Sequence, residues 1–241
     1  MVLHRPIKGT PKTAIVKRTP TGKWFVSISV EIGEEEVTGR RLPVCTEEVG
    51  IDVGLKTFAY LSTGEHIANP RFFQVEEHQL AQAQRKLSKA EKGSKERRQR
   101  RKVVARVHER VSFRRENFIR QQVASLIKRF GLIAVEALMV RNLVKNPRLA
   151  KSIADAAWSS FFAHLLCKAE DAGRTVVRVN PAYTSQSCSS CGHRQEMPLS
   201  VRIYECPVCG LVIDRDHNAS INILEAACGR AGRVIPEAPA L

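Results

Sequence analysis

Four of the seven cysteines stand in two C-x-x-C pairs, Cys188/Cys191 and Cys206/Cys209, with 14 residues between the pairs. Two such knuckles at that distance can converge on one tetrahedral ion, the four-cysteine geometry of a zinc ribbon. Gly192 and Gly210 each follow the second cysteine of a knuckle, where the backbone must turn tightly. With every coordination position filled by thiolate, no position is open to substrate, so the Zn2+ is expected to be structural. The other three, Cys45, Cys167 and Cys228, are scattered. An odd count with paired spacing argues against a disulfide framework and for a metal site.

The carboxylates suggest a second kind of chemistry. Asp52 lies inside the apolar run Val49–Leu61, where a charge is costly unless it binds something. Glu136 ends a second apolar run, and Asp214 and Asp216 open the last helix. Acidic groups from two strands and one helix start could meet around a pair of divalent cations, as in two-metal phosphodiester hydrolysis. Each also has a plain explanation: Asp214 or Asp216 as an N-cap only, and Glu136 as a surface residue at a strand end. Spacing alone leaves both open.

The elements that must position these groups read as α/β. Thr13–Arg18 and Lys23–Glu31 form a hairpin around the Thr19-Pro20-Thr21-Gly22 turn. Val49–Leu61 is one apolar strand, turned at Ser62–Glu65, and His66-Ile67-Ala68 returns antiparallel. From Glu76 to Phe130 the pattern is helical and broken once, at Lys92-Gly93-Ser94. Ser94 caps the second helix, with Glu96 in its first turn. Val104, Val107, Val111 and Phe118 give that helix one apolar face. Gly131–Glu136 is a strand, 142–148 a loop, and Leu149–Ala172 a helix with Ile153, Ala157, Phe161 and Leu165 on one stripe, ended by Gly173. Thr175–Val179 is a third core strand, 183–210 cysteine-rich loops, and the last helix runs from about Asp214 to Ala227.

Charge points to the partner. The chain carries 39 Lys/Arg against 24 Asp/Glu, a net +15, and 14 of those basic residues with only 4 acidic ones lie between Arg85 and Glu116. A strongly basic, clustered segment is the footprint of nucleic-acid binding. Lys95, Arg97, Arg98, Arg100, Arg101, Lys102 and Arg106 are the candidate phosphate contacts. No uncharged apolar run reaches the roughly 20 residues of a membrane-spanning helix. The N-terminus lacks the apolar core of a secretory signal. Both point to a soluble cytoplasmic protein without a membrane partner.

The motifs taken together carry a resemblance. Asn180–Gly192, Cys206–Gly210 and Asp214-Arg215-Asp216-His217-Asn218-Ala219-Ser220 resemble the C-terminal signature of the TnpB/OrfB family. Gly50–Leu55 resembles its first RuvC motif and Val135–Leu138 its second, with further likeness at Asp155–Trp158 and around Gly93-Ser94-Lys95. Members of this family are transposon-encoded, RNA-guided DNA endonucleases. The resemblance implies a RuvC-like RNase H fold with an inserted four-cysteine zinc ribbon, preceded by a partial β-barrel (wedge) segment. It implies that Asp52, Glu136 and Asp216 are the catalytic triad and hold Mg2+ or Mn2+. Asp214 is then a cap or a neighbouring group, and Thr184, Ser185 and Gln186 match a motif beside the ribbon that contacts nucleic acid. The implied partners are a guide RNA and target DNA.

The expected division is a wedge segment over 1–48, a nuclease core over 49–182 carrying the basic hairpin (76–130), a ribbon insert over 183–213, and the last helix with a tail over 214–241. Family members begin with a strand and a helical recognition lobe ahead of the hairpin, whereas this chain starts almost at the hairpin. That departure supports one competing function, a truncated, non-cleaving nucleic-acid-binding remnant or regulator. A strand-joining transposase fits less well, because no tyrosine stands in a His-rich nucleophile context.

Overall fold

The computed structural model describes residues 6–198 and 200–229. In chain order the elements are β1 (Thr10–Arg18), β2 (Trp24–Glu31), α1 (Glu34–Gly39), β3 (Glu48–Val53), β4 (Thr57–Leu61), β5 (His66–Ala68), α2 (Phe72–Lys89) and α3 (Lys95–Arg129). Then come β6 (Leu132–Glu136), α4 (Val140–Leu143), α5 (Ala150–Ala156), α6 (Trp158–Ala172), β7 (Thr175–Val179), β8 (Ile203–Glu205), β9 (Val212–Asp214) and α7 (Arg215–Cys228). The expected tail beyond Gly229 and the first residues of the wedge segment lie outside the described residues.

The chain forms two compact units, the first made of the residues up to Arg41 with Phe72–Phe118, the second of Leu42–Arg71 with the residues from Ile119 on. In the first, β1 and β2 pair antiparallel across the Thr19–Gly22 turn, with Gly22 at φ 93°. Thr21 and Lys23 in and after that turn reach Glu109 of α3 at 2.7 and 2.8 Å, so a carboxylate on the helix holds the hairpin tip. The helices α2 and α3 run antiparallel. Phe72 meets Phe118 edge-on, and buried Glu76 receives both Arg110 and Arg114. Gly93 supplies the left-handed turn between them at φ 89°, and the Ser94 hydroxyl accepts from the Arg97 amide at 3.1 Å, the expected cap. Of the expected apolar face, Val107 and Val111 are buried and Val104 and Phe118 half-buried.

The second unit holds a five-stranded mixed sheet in the order β5-β4-β3-β6-β7. The β3–β6 and β6–β7 pairs are parallel, and β3–β4 and β4–β5 antiparallel. A meander of three strands, with β6 added parallel beside its first strand and β7 parallel beside β6, is the topology of the RNase H fold. Two expectations change here. The run Val49–Leu61 is two strands rather than one, because Gly54-Leu55-Lys56 folds it back on itself and the Gly54 amide donates to the Phe58 carbonyl at 3.2 Å. The single helix over Leu149–Ala172 is also two, parted at Ala157, which takes φ 55° and caps both α5 and α6.

Side chains alternate across the sheet. Ala134 packs with Val179 on β7 and Ile223 on α7, while the alternate residues Ile133 and Val135 are equally buried, so both faces are covered. Gly50 lets α7 lie directly on β3, because a Cβ there would stand 2.0 Å from the Ser220 carbonyl oxygen and 2.8 Å from the Leu224 amide nitrogen. That close approach brings the first turn of α7 to the C-terminal end of β3. Among the described residues no helix is long and apolar enough to cross a membrane.

Candidate active site and metal centre

Asp52 and Glu136 are the next residues after the parallel pair Ile51↔Val135, so they end neighbouring strands side by side. Both follow the parity of Gly50 and Ala134, the residues that meet α7, and so belong to the face that α7 covers. Asp214 caps α7, its carboxylate accepting from the amides of Asp216 at 2.8 Å and His217 at 3.3 Å. Its carboxylate is thereby committed to the helix end, while Asp216, in the first turn, is free of that duty.

The electrostatics show that these groups share a locus. Burial first, then the charges of Glu136 and Asp216, push the Asp52 carboxyl well above the ordinary carboxylate range. Burial also raises Glu136, against a hydrogen bond from the Thr184 hydroxyl at 2.6 Å. The Asp216 carboxylate sits between two guanidinium groups, Arg202 at 3.3 Å on one oxygen and Arg215 at 3.3 Å on the other. Tyr60, opposite Asp52 in the ladder, stacks between His66 and His217. Burial, then Asp214 and Asp216, raise its hydroxyl pKa. Desolvated carboxylates that raise one another's pKa are the electrostatic state a divalent cation relieves, so the set fits such an ion. Among the described residues, only the four cysteines bring three or more ligand atoms within 4.8 Å of one another. The carboxylates of Asp52, Glu136 and Asp216 do not form such a group.

The cysteines form the second centre. Cys188 and Cys209 sulfurs lie 3.6 Å apart and Cys191 and Cys206 sulfurs 3.5 Å apart. A tetrahedral ion with metal–sulfur bonds of about 2.3 Å needs sulfur–sulfur edges of about 3.8 Å, so the cluster fits a bound metal. The Cys209 amide, ahead of burial, holds the Cys206 thiol down at about 6. The Cys191 thiol, despite a hydrogen bond from the His193 amide, is pushed up to about 12 by burial and the neighbouring thiols. The knuckle glycines, Gly192 at φ 86° and Gly210 at φ 73°, make the left-handed turns the spacing called for. Among the described residues the ribbon has a small core, Cys188, Tyr204 and Cys206, flanked by Met197, Leu211 and Ile213.

Several candidate nucleic-acid contacts are employed otherwise. Arg97 turns inward, its guanidinium donating to the carbonyls of Leu87 at 3.0 Å and Ala90 at 2.7 Å, which closes the C-terminal end of α2. Arg100 pairs with Glu96 along the helix. Lys95, Arg98, Arg101, Lys102 and Arg106 are exposed. Thr184 is 3 % exposed and is spent on Glu136, so it cannot offer its hydroxyl to a phosphate. Ser185 is half-buried, and the Gln186 carbonyl is taken by the Tyr204 hydroxyl and the Gln195 amide. Replacing Arg98, Arg101, Lys102 and Arg106 with glutamine, with Arg97 left as the clasp, should lower the slope of log affinity against log salt. Each lost phosphate contact takes away about 0.7–0.9. Nucleic-acid affinity titrated across a salt series checks this, and an unchanged slope would mean that these side chains touch no phosphate.

Sequence reasoning missed the clasp between ribbon and helix. Asn218 and Asn222, one turn apart on α7, both donate to the Ser187 carbonyl at 2.7 Å. Asn222 also holds the Thr184 carbonyl at 2.8 Å, and Asn218 accepts from the Ser189 amide at 2.9 Å. Arg215, 8 % exposed, reaches the Val201 carbonyl at 3.0 Å. Asn218 and Asn222, at i and i+4 on the last helix, were the available signal, since buried amides demand partners.

The chain matches two family models: OrfB_IS605, described as "Probable transposase", over residues 27–147, and the Cas12f1-like TNB domain over residues 158–223. A protein of Streptomyces pristinaespiralis named "Putative RNA-guided DNA endonuclease" is 40% identical over 231 residues, which cover 93% of this chain and 56% of that one. InsQ of Escherichia coli K12, with the same description, is 31% identical, covering 98% of this chain and 63% of its own. The CRISPR-associated endodeoxyribonuclease Cas12f1 of Sulfoacidibacillus thermotolerans is 26% identical, covering 83% of this chain and 50% of its own. The chain thus spans between half and two-thirds of the length of these relatives. Its sheet order, its four-cysteine cluster and the OrfB_IS605 match over half its length agree, and the chain belongs to the OrfB_IS605 family of TnpB/OrfB-type transposase-associated proteins.

Proposed function

We propose that this chain carries the nuclease chemistry of a TnpB/OrfB-type, RNA-guided DNA endonuclease, hydrolysing DNA phosphodiesters with the help of divalent cations. The observation that supports this most is that Asp52 and Glu136 lie side by side near the ends of the parallel strands β3 and β6, under α7, whose first turn carries Asp216. Asp52, Glu136 and Asp216 would hold the ions. Mg2+ or Mn2+ bound there supplies Lewis-acid polarisation of the phosphate and a water acidic enough to attack it. The chain's own residues prepare that locus. Thr184 holds Glu136, Asp214 builds the helix end that presents Asp216, and Arg202 and Arg215 neutralise Asp216.

The four cysteines hold Zn2+ in a structural role, since a set of four thiolates leaves no ligand position for substrate. The exposed basic residues of α3 take the backbone of the guide RNA or of its duplex with target DNA. The ribbon of 183–213 reads as an insert within the nuclease core, and the whole acts in the cytoplasm. The test is to co-express the chain with its downstream genomic flank, identify the RNA that co-purifies, and assay cleavage of labelled single- and double-stranded DNA in Mg2+. Cutting by the wild type that vanishes in Asp216→Ala is the expected result. Cutting that survives the substitution would put the chemistry elsewhere, and bound RNA with no cutting would make the chain a binding protein.

A further inference from the structure

Glu136 ends β6, at the edge of the strand's own hydrogen-bonded frame. The last torsion of a glutamate is broad and roughly two-fold, so a defined orientation needs an outside donor. Thr184 provides it. Its hydroxyl donates to Glu136 Oε1 at 2.6 Å, the length of an O–H bond to a charged carboxylate, and the Pro181 carbonyl at 3.2 Å is the poorer acceptor for the same proton. With Oε1 occupied on that side, the other oxygen and the remaining lone pairs are aimed by the hydrogen bond.

Thr184 is itself held. Its side chain is buried, its carbonyl is gripped by Asn222, and the Ser187 carbonyl three residues on is gripped by both Asn222 and Asn218. Cys188, the first zinc-knuckle cysteine, follows immediately. We propose that Thr184 is a positioning residue, whose buried hydroxyl orients the Glu136 carboxylate toward the divalent cations, and that Asn218 and Asn222 anchor this hydroxyl between α7 and the ribbon. The inference rests on the metal-binding role proposed for Glu136.

Thr184→Val keeps the shape and removes only the hydroxyl, and Thr184→Ser returns the hydroxyl without the methyl. Mn2+ alone is titrated into the zinc-loaded full chain and followed by the electron paramagnetic resonance of free Mn2+, with Asp52→Ala as the blank. Residues that orient metal ligands are worth about 10- to 100-fold in affinity or activity. The valine variant should therefore weaken Mn2+ binding by about that factor, with zinc content and DNA affinity unchanged, and the serine variant should restore most of it. DNA cleavage should follow the same order through kcat rather than KM. Mn2+ binding by Thr184→Val equal to wild type would overturn the proposal. So would equal impairment of the serine and valine variants, which would assign the effect to packing. If the wild type binds Mn2+ but cuts no DNA, the endonuclease reading fails, and the Mn2+ titration still decides the role of Thr184.

Discussion

Asp52→Ala should bind nucleic acid as the wild type does and cut no DNA, because the residue sits near the end of β3, away from the basic stretch of α3 in sequence, among the carboxylates proposed to hold the ions. Metal-assisted charge stabilisation contributes several kcal/mol to phosphoryl chemistry. At 1.36 kcal/mol per tenfold, losing it lowers the rate by roughly 10^3 or more. Cleavage rate and DNA affinity measured on the same preparation check this, and a parallel fall of both would make the aspartate structural. The substitution Asp52→Asn carries a second signature. The folded-state pKa of Asp52 is raised, while the unfolded residue titrates near about 3.9. Between those values the folded state holds the extra proton. Stability therefore falls as pH climbs from about 4 through the raised pKa, and the full penalty applies above it. In EDTA at neutral pH, Asp52→Asn should melt above wild type, by the order of 1 kcal/mol typical of relieving such a site. Mg2+ should close or reverse the gap, because it stabilises only the chain whose carboxylates can bind it. A lower melting temperature for Asp52→Asn in EDTA would contradict the electrostatic account.

Cys188→Ser should strip the zinc and melt the ribbon while leaving the five-stranded sheet folded. Among the described residues the ribbon's buried core is three residues, two of them metal-ligand candidates, and its strands β8 and β9 are three residues each. So little apolar burial cannot offset the ordering of some thirty residues. Structural zinc supplies an apparent ~10–16 kcal/mol, which is folding free energy in a segment of this kind. Metal analysis should fall from about one zinc per chain toward none. Amide exchange should become fast through the ribbon around the knuckles and remain slow in β3 and β6. Full zinc occupancy in the variant would remove Cys188 from the ligand set.

Residue types and spacing were enough to find the four-cysteine cluster and most of the elements, and each shortfall has a physical reason. The ladder of β3 and β4 hid inside one apolar run because both strands are largely buried, leaving no clean alternation, and the turn between them is only Gly54-Leu55-Lys56. The break between α5 and α6 falls at Ala157, the residue type with the best helix propensity, so only tertiary packing holds its left-handed backbone. Short α1, on the acidic stretch Glu34–Gly39, has no side-chain cap to announce it. Within the site, the roles of Asp214 and Asp216 separated as the capping logic suggests. Thr184 and Arg97 were expected to contact nucleic acid; their side chains hydrogen-bond to Glu136 and to the carbonyls of Leu87 and Ala90. The Thr184–Glu136 pair spans 48 residues and forms only once the chain has closed on itself, whereas Arg97 reaches back only 7 and 10 residues across the Gly93 turn.

Asp214 is both the last residue of β9 and the N-cap of α7, and the Arg215 amide that follows donates back to the Arg202 carbonyl at 2.7 Å. The ribbon therefore has no linker at its exit. It cannot be treated as a cassette: excising it, swapping it for another zinc module, or lengthening the joint by one residue would rotate the first turn of α7 and displace Asp216. Its entrance is equally tied, through the asparagine clasp. The two roots of the ribbon and the helix they start form one structural unit. Anyone grafting this domain should cut outside Pro181 and Gly229.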